Sequence, residues 1–121
     1  ITGNKVPFIN ENIKMIKALK VLSEKKLGVL IVLNKNKKIS GIITDGQIRR
    51  FNEKNIEIKS LIVREIMTIK PITIEKDELA AKALSIMNNK KITSLIVVNR
   101  KKPLTAIGIV HIHTILQSNI S

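Results

Sequence analysis

The sequence predicts an α+β fold, α/β-like in its alternation of elements, made of two pseudo-symmetric β-α-β-β-α repeats packed as one module. Three observations carry this. A helical pattern around Ala18 and Leu19 runs into the apolar stretch Val29–Leu33, and 65 residues later a pattern around Ala83 and Leu84 runs into residues 95–98. The offset of 65 holds from Ile9 and Ile74 through Asn34 and Asn99. The second copy then carries two extra residues, so Gly41 meets Gly108 at an offset of 67. Repetition on this scale marks a duplicated supersecondary unit, and neither half of a 121-residue chain is long enough for a sufficient core. The functional surface is therefore expected at the seam between the halves.

Residues 6–9 form a short extended entry, with Pro7 suited to an edge. Asn12 is a suitable N-cap, and Ile13, Ile16, Leu19 and Leu22, with Met15 and Ala18, make one apolar helical face. Asp77 starts the matching helix, which carries Leu79, Ala80, Ala83, Leu84 and Met87. Val29–Leu33 is apolar throughout, as a strand buried on both faces requires. A turn over residues 34–37 leads to a strand over 39–44, and Asp45 and Gly46 open a helix over 47–53. The second copy repeats this with a strand at 95–98, a turn at 99–103, a strand at 104–110 and a helix at 113–117. The division is residues 5–55 for the first repeat, 56–70 for a linker and 71–121 for the second repeat.

Composition narrows the function. Two phenylalanines, Phe8 and Phe51, are the only aromatic residues beside the histidines, which argues against base stacking on single-stranded nucleic acid. The net charge of +13 comes from scattered lysines such as Lys14, Lys35, Lys54 and Lys82. That spread reads as a solvated surface rather than a nucleic-acid footprint, and it favours anionic small ligands. The absence of cysteine excludes disulfides and thiolate chemistry and suits a cytoplasmic protein. No apolar run approaches the ~20 residues that span a bilayer, and no signal peptide is visible, so no membrane partner is expected. A first residue of Ile1 rather than Met suggests a piece of a longer protein.

Thr44, Asp45 and Gly46 form the foremost small-ligand candidate. A strand delivering a hydroxyl to a helix N-terminus brings that hydroxyl, free amides and the helix dipole to one point, which suits phosphate. Arg49 and Arg50 follow in the first turns and can clamp an anion. The alternative is that Asp45 only caps its helix and the arginines pair with acids such as Glu53. Lys26 and Gly28 at the strand entry complete the first candidate cleft. Its equivalent uses Lys91, Thr93, Ser94, His111 and His113. On a continuing strand, His111 and His113 share a face, yet two histidines without a nearby carboxylate make an incomplete metal site. The other reading puts His111 in the place of Thr44, and no metal is assigned. No Ser-His-Asp set and no GxxxxGK loop is present, so this chain alone is not expected to be an enzyme.

The stretch VREIMTIKPITIEKDELAAKAL at residues 63–84 resembles the junction of a tandem CBS-domain pair, a Bateman module. GVLIVLNKNKKISGIITDGQIRR and its echo SLIVVNRKKPLTAIGIVHIHTIL extend the likeness over essentially the whole chain. TGNKVPFI, TDGQIRR, KITSLIVVN and GIVHIHTIL also resemble the C-terminal part of arabinose-5-phosphate isomerases. In that family a sugar-isomerase (SIS) domain precedes the CBS pair and serves synthesis of the Kdo sugar of lipopolysaccharide.

The resemblance implies a regulatory, ligand-sensing and self-associating module, a homodimer or tetramer, partnered by an N-terminal catalytic SIS domain. Its effector would be a phosphorylated sugar, a nucleotide or a nucleotide-sugar. A CBS pair fused to a sugar-nucleotidyltransferase carries a similar TDG segment, and a purely structural dimerisation unit is a further alternative. One departure stands out. Nucleotide-binding CBS pairs commonly hold ribose with an Asp three positions after the strand-end Thr, and those positions here are Gln47 and Thr114. Apolar strips on the second helix of each half (Ile48, Phe51; Ile115, Leu116) are expected to face a second copy.

Overall fold

The computed structural model describes residues 7–25, 28–69, 71–92, 94–99 and 101–111. It divides into two compact units, one over Pro7–Pro71 and one from Ile72 onward.

The first unit contains β1 (Phe8–Asn10), α1 (Met15–Lys25), β2 (Val29–Leu33), β3 (Ile39–Thr44), α2 (Asp45–Glu53), α3 (Val63–Ile66) and β4 (Thr68–Ile69). Its sheet runs β1-β2-β3-β4, with β1 parallel to β2 and the other pairs antiparallel. The second unit contains β5 (Thr73–Glu75), α4 (Ala80–Lys90), β6 (Ser94–Asn99) and β7 (Lys102–His111), in a sheet ordered β5-β6-β7.

The two units obey the repeat residue by residue. Helices α1 and α4 are both 11 residues long and start 65 positions apart. Ile9 pairs with Val32 across the parallel strands, and Ile74 pairs with Val97. Val32 faces Gly41 in one hairpin, and Val97 faces Gly108 in the other. The register shift between Val97 and Val98 repeats the one between Val32 and Leu33, whereas the further shift between Val98 and Asn99 belongs to the second repeat alone; Asn99 pairs with Lys102, so the expected turn over 99–103 is tighter than anticipated.

Each core lies between a helix and its sheet. Met15, Ala18 and Leu22 from α1 meet Leu30, Val32 and Ile43 from the strands. Ala83 and Met87 from α4 meet Ile74 and Leu95. Full burial of an aliphatic side chain contributes ~1.5–3 kcal/mol, so spacings of three and four on these helices are what fix them. All of Val29 to Val32 is buried, as an unbroken apolar run predicts.

Some expectations need correction. Asn12 and Asp77 are not the N-caps: α1 begins at Met15, and α4 begins at Ala80 after Leu79, whose side chain makes no cap bond. Asn12 instead sits in a turn in which its amide donates to Asn10 Oδ1 (2.8 Å), and its own side chain accepts from Arg64. Residues 56–70 are more than a connector. Ile58, Val63 and Ile66 are buried in the first core, and β4 adds a strand to the sheet. Ile48 and Phe51 are not an exposed strip, because both pack against that core. The helix expected at 113–117, with Ile115 and Leu116, lies outside the described residues. Among the described residues no helix is long and apolar enough to cross a membrane.

Candidate functional site

Where α1 ends, β2 begins and α2 starts, a cleft of about 390 Å³ opens. Leu19, Leu22 and Ile48 supply an apolar wall, and Ser23, Gly28 and Asp45 supply its polar edge. Gly28 is required by geometry. Its φ is +73°, and a β-carbon there would stand 2.9 Å from Asp45 Oδ2. Only glycine meets both conditions without strain. The backbone closes the corner, with Asp45 N–H donating to Gly28 O (3.0 Å) and Val29 pairing with Thr44.

Thr44, not Asp45, caps α2. Its Oγ1 accepts from the Gln47 amide (3.2 Å), and Gln47 Oε1 accepts from the Thr44 amide (3.4 Å). This reciprocal pair satisfies two donors that a helix start otherwise leaves orphaned. Two amides of the helix start, those of Asp45 and Gln47, are therefore already bonded within the protein. The N-terminus offers fewer free donors than the sequence suggests. The Thr44 hydroxyl keeps its proton to donate.

Gln47 is the polar residue buried beneath this corner. Its Nε2 donates to Ile66 O (2.6 Å), so both ends of the carboxamide are engaged. This explains the departure at position 47 in physical terms: the side chain serves the fold.

Arg49 and Arg50 are exposed and reach back along α2. A β-carbon at Gly46 would stand 3.5 Å from Arg50 Nη1 and 3.8 Å from Arg49 Nη2. Among the described residues neither arginine, nor Glu53, makes an ion pair, so the pairing with Glu53 is not formed. Two exposed guanidinium groups thus lie near the helix start whose first residue, Asp45, edges the cleft. The combination suits a ligand with an apolar ring and an anionic group. Among the described residues that line it, no nucleophile–base pair is assembled.

The second candidate set is described in part. Lys91 ends α4 in the left-handed conformation (φ 57°) and is exposed. Ser94 opens β6 and pairs with His111 in the same register in which Val29 pairs with Thr44, so His111 does occupy the strand position of Thr44. Lys26, Thr93, His113, Thr114 and the side chain of His111 lie outside the described residues. Among the described residues no cluster of three metal-ligating side chains occurs. The cleft wall of Leu19, Leu22 and Ser23 escaped the sequence reading. Its signal was available, since these residues fill the last turns of a helix that runs directly to the Gly28 corner.

Residues 1–54 and 63–120 match the model of the CBS domain. The chain is 31% identical over 119 residues to the arabinose 5-phosphate isomerase KdsD of Salmonella typhi, covering 98% of this chain and 35% of that protein. It spans about a third of the length of that curated relative. The CBS domain pair of protein MJ0100, solved with 5-methylthioadenosine and S-adenosyl-L-methionine, superposes with a TM-score of 0.84 at 25% identity, covering 98% of this chain and 91% of that one. CBSX2 in complex with AMP gives a TM-score of 0.83 at 19% identity, with 98% and 90% covered.

Proposed function

Since this chain belongs to the CBS-domain family, as a tandem CBS module, we propose that it is the ligand-sensing and self-associating part of a cytoplasmic sugar-phosphate isomerase. In this reading it regulates a separate catalytic SIS domain, and the parent interconverts ribulose 5-phosphate and arabinose 5-phosphate. The observation that carries the proposal is the 31% identity to an arabinose 5-phosphate isomerase, sustained over 98% of the chain. The repeats are taken as residues 5–55 and 71–121, joined by 56–70.

The effector is read as an anionic sugar phosphate or nucleotide. Gly28, Thr44, Asp45 and Arg49, with Lys26, receive it in the first repeat. Lys91, Thr93, Ser94, His111 and His113 form the counterpart in the second. Support comes from the arginines beside an amphipathic cleft and from the adenosine compounds named for two related structures. Exposed Ile16 and Ile69 support self-association as a dimer or tetramer.

A structural dimerisation unit is the second reading, and the engaged carboxamide of Gln47 favours it. The test is the reading frame upstream of Ile1 together with the full-length protein. A sugar-isomerase domain there, and isomerase activity that changes on deleting this module, is the expected result. An unrelated upstream domain would refute the isomerase reading. Activity indifferent to the module and to added nucleotides or sugar phosphates would leave the structural role in its place.

A further inference from the structure

The chain has no cysteine, so its sulfur atoms are those of Met15, Met67 and Met87. Met15 is fully buried and Met87 is 1% exposed. Met67 is half-buried. It joins α3 to β4 and packs at the rim of the first core, against the cluster that holds Val32 and Ile43. An oxidant must touch a sulfur atom to oxidise it, and burial shields the other two.

Met67 fills the space that Gly41 leaves. A β-carbon at Gly41 would stand 2.6 Å from Met67 Sδ and 2.8 Å from its Cγ. The Ser40 hydroxyl, which donates to Val32 O (3.3 Å), also lies 3.9 Å from the sulfur. The side chain thus seats β4 on β3, where Gly41 pairs with Ile69 and Ile42 with Thr68. A two-residue strand has little else to hold it. One residue before Met67, Ile66 O accepts from Gln47 Nε2 (2.6 Å). Met67 therefore stands between the pairing of β4 and the bond that anchors the cleft corner.

We propose that Met67 is a peroxide-sensitive latch, whose oxidation to the sulfoxide frees β4 from β3 and loosens the anchor of Gln47. The reaction is a two-electron oxygen transfer. The sulfur lone pair attacks one oxygen of hydrogen peroxide, an S–O bond forms and the O–O bond breaks. The proton of the transferred hydroxyl passes to the departing one, which leaves as water. Sulfur is oxidised and the peroxide is reduced. A thioether is a weak acceptor that tolerates a close, dry seat over a glycine backbone. A sulfoxide is polar and disrupts such packing. The Ser40 hydroxyl is the donor at hand, and its one proton is already given to Val32 O. The oxidised side chain turns to water instead, and the seat over Gly41 is vacated. This device goes beyond the proposed function and does not depend on it.

The test treats the chain with dilute hydrogen peroxide and follows it by peptide mass spectrometry and amide hydrogen exchange. Met67 should gain its oxygen at least ~10-fold faster than Met15 and Met87, and exchange at the amides that pair β4 with β3 should quicken by at least ~10-fold with it. Methionine sulfoxide reductases should reverse both changes. Met67→Leu keeps an apolar side chain of similar volume, so it should hold β4 in place and make that exchange indifferent to peroxide. Oxidation of all three methionines at one rate overturns the proposal. So does a Met67 sulfoxide that leaves the exchange of β4 unchanged. The same quickening in Met67→Leu also overturns it, since oxidation elsewhere would then be the cause.

Discussion

The carboxamide of Gln47 in α2 donates to the carbonyl oxygen of Ile66 at the end of α3, 19 residues away, across 2.6 Å. This bond anchors the segment between the repeats to the corner at which the candidate cleft is built. The same side chain closes the capping pair with Thr44. Replacing Gln47 by Ala leaves the Ile66 carbonyl and the Thr44 amide without their partner. A buried unsatisfied group costs ~1–3 kcal/mol, and that is the stability loss expected in urea denaturation. A loss under ~0.5 kcal/mol would show that water replaces the amide at little cost.

Much of this was legible in the sequence, because the repeat supplied two independent copies of each signal. Val32 and Gly41 pair as Val97 and Gly108 do, so the offsets of 65 and 67 read from the sequence carry over to the two hairpins. Helix starts were less legible. Asn12 and Asp77 are good capping residue types, but tertiary bonds to Leu61 and Arg64 recruit the first of these turns for another purpose. The burial of Ile58, Val63 and Ile66 was not legible, because these residues follow neither helical nor strand periodicity over a long enough window. The role of Gln47 could not be read at all, since its partner is distant in the chain.

Gly41 and Gly46 should respond to alanine with opposite signs. A β-carbon at Gly41 would stand 2.6 Å from Met67 Sδ and 2.8 Å from the Thr68 carbonyl oxygen. The side chain can move, but the backbone of β4 cannot without leaving β3, to which it pairs through Gly41 and Ile42. Gly41→Ala should therefore cost ~1–3 kcal/mol. Gly46 lies inside α2, and a β-carbon there meets only ordinary contacts at 3.5 Å and beyond. Gly46→Ala should gain ~0.5–1 kcal/mol from helix propensity. Chemical denaturation of both variants decides the matter, and equal effects would contradict the close approach of β4.

The anion-binding reading rests on Arg49 and Arg50 and is tested through them. Thr44→Ala is a blunt probe, because losing an N-cap costs ~0.5–2 kcal/mol whether or not a ligand binds. Arg49→Ala with Arg50→Ala removes charge from exposed side chains and spares the fold. If arabinose 5-phosphate raises the melting temperature of the natural chain, the double variant should lose that rise. The rise should also shrink as salt increases, because exposed charges are screened over ~10 Å at 0.1 M. A shift retained in full by the double variant places the anion elsewhere.

Nucleotide selectivity gives the sharpest test, since it sets the fold's use of Gln47 against a ligand's. A carboxylate accepting from ribose hydroxyls makes charge-assisted bonds worth ~1.5–3 kcal/mol each, against ~0.5–1.5 for neutral partners. The Gln47 amide brings no charge and is already bonded to Thr44 and Ile66. AMP should therefore bind the natural chain weakly, short of family members with an acid there by roughly one to two orders of magnitude. Gln47→Asp should raise AMP affinity in calorimetry while lowering the melting temperature, because the shorter acid cannot donate to the Ile66 carbonyl. A gain in affinity with no loss of stability would mean that the bond to Ile66 contributes little. Tight AMP binding by the natural chain would mean that some other group holds the ribose, and position 47 would lose its claim to set selectivity.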